Sequence, residues 1–98
     1  MSQSTPNTDR IWSLVDAKRE PFQQLSDRIW GMPEIAYTEH RSVAEHVAVL
    51  EAEGFRITKN LAGIPTAVMG EAGTEGPVIA ILGEYDALPG LSQVAGIA

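Results

Sequence analysis

Pro77-Val78-Ile79-Ala80-Ile81-Leu82-Gly83-Glu84-Tyr85-Asp86-Ala87-Leu88-Pro89-Gly90 is the stretch on which the fold turns. Val78 to Leu82 is apolar at every position. A strand with one wet face alternates apolar and polar residues, so an unbroken apolar run predicts a strand buried on both faces. Pro77 suits the first position of such a strand. Two carboxylates, Glu84 and Asp86, leave its end directly. In open α/β sheets ligands bind beyond the carboxyl ends of strands, and residues two apart on an extended chain point to the same side.

Upstream, the pattern changes period. Ile11, Leu14, Val15, Phe22, Leu25 and Ile29 recur at three-to-four spacing and predict one helical face, beginning at a cap on Thr8 or Asp9. Pro21 interrupts it, which predicts either a kink or a second helix starting there. Gly31 and Pro33 end the helix. Thr38 is the expected N-cap of the next one, with Val43, Val47 and Leu50 on its apolar face and Gly54 at its end. Phe55 to Thr58 and Thr66 to Met69 read as strands, with a turn at Ile64-Pro65. Gly70 to Gly76 is a glycine-rich connection. Its glycine spacing matches no phosphate-binding fingerprint, and Glu71 and Glu75 would repel a phosphate. The expected architecture is α/β: two or three helices followed by three strands of a mixed sheet. Residues 1–7 are expected to be a disordered tail and residues 8–98 one domain portion.

The chain has 98 residues, 44% of them hydrophobic and 20% charged, an ordinary globular balance. The formal net charge of −6 argues against a nucleic-acid backbone or an anionic membrane surface as partner. There is no cysteine, which excludes disulfides and thiolate metal sites within these residues. No apolar run approaches the length of a membrane span. The polar start lacks the features of a secretory signal, and a cytoplasmic protein is expected.

Glu84 and Asp86 are the leading chemical candidates. A carboxylate pair can bind a hard cation or carry out acid–base work; on spacing alone, two solvated loop acids are the simpler reading. His40 and His46 are the only histidines, and six residues apart on a helix they sit about 240° around its axis from each other, which prevents a shared metal. Gly90-Leu91-Ser92-Gln93-Val94 falls one glycine short of a nucleophile elbow. Trp12 and Trp30 read as packing residues, and Glu34 as part of a turn.

Two segments carry a resemblance. Trp30-Gly31-Met32-Pro33-Glu34-Ile35-Ala36-Tyr37-Thr38-Glu39, followed by a helix ending in Glu51-Ala52-Glu53-Gly54-Phe55, resembles the start of the metal-dependent amidohydrolases of aminoacylase and carboxypeptidase G type. Gly83-Glu84-Tyr85-Asp86-Ala87-Leu88-Pro89 resembles the acidic-x-Asp-Ala-Leu-Pro segment of the branch holding the auxin-conjugate and p-aminobenzoyl-glutamate hydrolases. The continuation Gly90-Leu91-Ser92-Gln93 is most similar to the latter. The resemblance covers roughly residues 20–98.

The resemblance implies the N-terminal part of a zinc-peptidase-like catalytic domain. Other branches have a His-x-Asp motif, in which the histidine binds metal and the aspartate supports it. Asp86 stands at the aspartate and Glu84 at the histidine. A His-x-Cys-Gly-His segment, the other metal ligands and the dimerisation domain of the family are not in these residues. The implied activity is hydrolysis of an N-acyl amino acid or aminobenzoyl-glutamate-like amide by a homodimer using zinc or manganese. The present chain alone is expected to be inactive and to bind neither metal. Two other readings stand beside it: a glycosidase-like carboxylate pair, which needs carboxyls ~5–9.5 Å apart flanking a sugar cleft, and a small non-enzymatic interaction module.

Overall fold

The structure, a computed structural model, describes residues 6–94. The order is α1 (Pro6–Ala17), α2 (Arg19–Trp30), α3 (His40–Ala52), β1 (Arg56–Lys59) and β2 (Val68–Glu71). Of the tail expected at residues 1–7, residues 1–5 lie outside the described part, and α1 begins at Pro6. The interruption expected near Pro21 is a break between two helices at Lys18, whose ψ of 2° leaves the helical range. Pro21 then falls in the first turn of α2, where its missing N–H is one of the donors no helix satisfies.

Two ion pairs fix how α2 lies on α3. Lys18 Nζ is 2.7 Å from Glu53 at the far end of α3, and Arg28 Nε is 2.8 Å from Glu45 near its start. The start of one helix thus meets the end of the other, and the two run antiparallel. Such exposed pairs contribute only ~0–1 kcal/mol each; the half-buried Leu25 and Ile29 of α2 add apolar contact area. α1 has almost no cover. Ile11, Trp12, Leu14 and Val15 are all more than half exposed, as is Trp30, so neither tryptophan has the packing role expected of it.

α3 ends as the sequence predicts. Gly54 has φ +87°, and the Phe55 amide donates to the Leu50 carbonyl at 3.0 Å, the bond that closes a helix through a left-handed residue. The chain then enters β1, which pairs antiparallel with β2 from Arg56↔Glu71 to Lys59↔Val68. The hairpin packs on α3. Gly70 makes this close approach possible: a Cβ there would lie 3.3 Å from Leu50 Cδ1 and 3.4 Å from Phe55 Cδ1. Val47 is the buried apolar residue of this small core, with Ser42 and Thr66 buried beside it. Both strands begin one or two residues later than the sequence suggests, because the 3-10 turn at Leu61–Gly63 and the turn at Ile64-Pro65 take up the link between them.

The third expected strand does not form. Residues 77–86 have no ladder partner, and Val78, Ile79, Ile81 and Leu82 are 83–96% exposed. Among the described residues the sheet has two antiparallel strands in place of the three expected. The physical reason is a lack of cover. A strand apolar on both faces is stable only between neighbours and under packed layers, and the short hairpin supplies neither. No helix among the described residues is long and apolar enough to cross a membrane.

A core strand and an uncovered one respond differently to a charge. In the 98-residue chain, Ile81→Lys is expected to change unfolding stability by less than about 0.5 kcal/mol, the range of a surface substitution. Urea denaturation of both variants measures this. A loss of several kcal/mol would show that residue 81 is packed.

Candidate functional site

The site is built around the start of α3. A helix begins with backbone N–H groups that have no internal partner and carry partial positive charge. Thr38, the expected cap, is engaged elsewhere: its hydroxyl donates to the Ile35 carbonyl at 2.7 Å. Glu39 occupies the cap position without a side-chain bond. Glu34 does the work from upstream. Its Oε1 accepts the Ser42 amide at 2.7 Å, and its Oε2 accepts the Arg41 amide at 3.2 Å and Arg41 Nε at 3.3 Å. Burial pushes this carboxyl's pKa up, but the donors of Ser42 and Arg41 outweigh it and hold the pKa at about 2, against an ordinary 4.5. Glu34 is therefore more than the turn residue its place in the sequence suggests.

The same residue holds the end of the 77–90 segment. The Ala87 amide donates to the Glu34 carbonyl at 2.8 Å, and Ile35 and Ala87 form a parallel bridge. Two residues earlier, the Tyr85 hydroxyl donates to the carbonyl of the buried Thr66. The Tyr85 ring lies 4.7 Å from the His46 ring at 36°. Tyr85 and Ala87 thus face the protein and are partly buried, while Glu84, Asp86 and Leu88 alternate with them and are exposed. Burial raises the Tyr85 pKa, and the negative charge of Glu39 adds to that; burial lowers the pKa of His46.

Glu84 and Asp86 are both exposed and flank the partly buried Tyr85; the strand that would set them on one side does not form. His40 is exposed and His46 half-buried against Tyr85, so the two histidines occupy different surroundings. Ser92 lies in irregular exposed chain, without the strand and helix a nucleophile elbow needs. The contacts missed in the sequence are those of Glu34, Ser42, His46 and Tyr85. Ser42 and His46 are four apart on α3, a signal of one shared face, but their partners come from distant segments. Along that face Glu39 Oε1 and His46 Nε2 are buried without a hydrogen-bond partner.

Zinc or manganese, implied by the resemblance, is not accommodated by these residues alone. No three His, Cys, Asp or Glu side chains among the described residues are grouped as metal ligands. An open groove of about 340 Å³ between α1 and α2, lined by Val15, Lys18 and Phe22 among others, involves none of residues 84–90.

An anchored acidic-x-Asp-Ala-Leu-Pro end lies beside a helix capped by the glutamate of the Pro-Glu pair, and over these residues the chain is similar in sequence to two curated hydrolases. The chain is 48% identical over 89 residues to a subunit of p-aminobenzoyl-glutamate hydrolase from Escherichia coli (strain K12), a match covering 90% of this chain and 18% of that protein. It is 36% identical over 98 residues to Xaa-Arg dipeptidase of Mus musculus, covering 89% of this chain and 22% of that protein. The chain spans about a fifth of the length of these curated relatives. No family model and no solved structure matches it.

Glu34 makes stability depend on acid. Its folded pKa of about 2 lies below the ordinary 4.5, so its contribution is complete above 4.5 and is lost as pH falls through about 2. Glu34→Gln is expected to lower the melting temperature at pH 7 and to flatten the loss of stability between pH 4.5 and 2. Thermal unfolding across that range tests it; an unchanged acid profile in Glu34→Gln would exclude the charged cap.

Proposed function

We propose that this chain is part of a metal-dependent amidohydrolase that cleaves a small N-acyl amino acid amide, with aminobenzoyl-glutamate-like compounds as the preferred substrate class. The observation that carries the proposal is the 48% identity to the p-aminobenzoyl-glutamate hydrolase of Escherichia coli. The dipeptidase relative also acts, by its name, on an amide bond next to an amino acid.

In such an enzyme a divalent ion, zinc or manganese, supplies an acidified water and a polarised carbonyl. The described residues do not assemble that ion's site, so the part of this chain is support. Asp86, exposed at an anchored chain end, is placed to accept a hydrogen bond from a ligating side chain and hold it in orientation. Losing such a partner typically costs ~10–100-fold in metal affinity or activity. Glu84, at the family's histidine position, is likewise exposed beside Tyr85 and adds negative charge there. We further propose that the complete enzyme is a homodimer, as the resemblance implies; the relative from Escherichia coli is itself named as one subunit of a hydrolase.

The two other readings find less support. Glu84 and Asp86 stand side by side on one exposed segment, whereas a glycosidase needs its carboxyls across a cleft. The bare run Val78 to Leu82 does not fit the self-contained fold expected of a small interaction module.

The test is hydrolysis of p-aminobenzoyl-glutamate by the full-length protein, with metal content measured alongside. Asp86→Ala is expected to lower kcat/KM by at least ~10-fold. Glu84→Gln, which keeps shape and loses charge, is expected to have a smaller effect. Full activity and metal content in Asp86→Ala would overturn the assignment. Loss of metal in Glu84→Gln would make Glu84 the ligand instead.

A further inference from the structure

An exposed carboxylate on an extended chain is useful in an active site only if the chain beneath it is held. Ladder hydrogen bonds usually do this in a strand. Here residues 77–86 have no ladder among the described residues, and Glu84 and Asp86 are exposed on either side of the partly buried Tyr85. The restraint comes from the residue between them. Tyr85 is tied at two depths: its hydroxyl to the carbonyl of Thr66, in the link between β1 and β2, and its ring against His46 on α3. Ala87 supplies a third tie through the Glu34 carbonyl at 2.8 Å. Because side chains alternate along an extended chain, holding residues 85 and 87 inward leaves residue 86 directed outward.

We infer that Tyr85 is the positioning residue for Asp86, acting through the Thr66 carbonyl and the His46 ring to fix the direction of the Asp86 carboxylate. This inference rests on the amidohydrolase reading, in which Asp86 orients a ligand. A site of this kind tolerates displacements of only about 0.5 Å in its supporting groups, so the contacts that hold the residue next to Asp86 bear directly on its carboxylate. A Phe at 85 keeps the ring on His46 and removes the hydroxyl, which isolates the tie to Thr66.

The experiment is a double-mutant cycle in the full-length protein with p-aminobenzoyl-glutamate as substrate. Two residues that act through one another give non-additive effects. Tyr85→Phe is expected to lower kcat/KM about 10-fold in the native background and by less than about 2-fold in the Asp86→Ala background, as follows when the tyrosine acts only through the aspartate. A second readout needs no turnover. In the metal-free protein, hydrogen exchange at the Ala87 amide should be at least about 5-fold faster in Tyr85→Phe, while the Phe55 amide at the end of α3 keeps its rate, which separates local release from global destabilisation. Where Asp86→Ala activity falls below detection, the exchange measurement alone decides. Equal losses in both backgrounds, or unchanged Ala87 exchange, overturns the role of Tyr85 and leaves the amidohydrolase reading standing. A full-length protein that hydrolyses no such amide overturns the amidohydrolase reading and, with it, the role assigned here.

Discussion

The carboxylate of Glu34 lies where three parts of the chain meet. Its two oxygens take the amides of Arg41 and Ser42 and so begin α3. Its own backbone carbonyl takes the amide of Ala87. A single residue therefore sets both where the helix starts and where the end of the 77–90 segment is docked. A carboxylate suits this place better than the short cap at Thr38 would, because it carries full charge into the positive end of the helix and has two acceptor oxygens for two adjacent donors. Its depressed pKa is the electrostatic record of those contacts. The Pro33-Glu34 pair is conspicuous in the sequence, and the structure gives its glutamate a specific physical task.

Much of the helical part is legible in the sequence, because helices are set by local pattern. The spacing from Ile11 to Ile29 and from Val43 to Leu50 marks α1, α2 and α3, and Gly54 marks the end of α3 through its left-handed φ of +87°. The helix break is legible as well, though it falls at Lys18 rather than at Pro21: proline is tolerated within the first turn, so it marks a neighbourhood rather than a boundary. The run from Val78 to Leu82 misleads for the opposite reason. Its apolarity states that the segment has to be covered on both faces, and cover is not a local property. The described residues provide none, so the same five residues that predict the most buried strand are among the most exposed.

The site divides along the same line. Glu84 and Asp86 stand out because their spacing and the motif around them are contiguous. The contacts that hold them are not. Tyr85 reaches Thr66, nineteen positions away, and the His46 ring; Ala87 reaches Glu34. Each partner is ordinary where it stands in the sequence. His46, read by its spacing from His40, is a surface histidine; read by its neighbour in space, it is a half-buried ring with an unpartnered buried Nε2. Periodicity assigns such a residue to a face, and only tertiary structure says what that face meets.

These observations separate two properties that usually go together in a strand end. The body of the segment, Val78 to Leu82, is unpaired and bare, whereas its end, Tyr85 to Ala87, is fixed by contacts to α3, the 33–36 connector and the β1–β2 link. Covering the body would remove four large apolar side chains from water at roughly 1.5–3 kcal/mol each, a strong drive for association with whatever sheet or layer completes it. That association would change the surroundings of the segment without having to create the geometry of its end. Glu84 and Asp86 are already exposed beside the anchored, partly buried Tyr85 and Ala87 that alternate with them. The anchoring of residues 85 and 87 is thus made by contacts within these residues, while strand formation at 78–82 would need cover that the described residues do not supply.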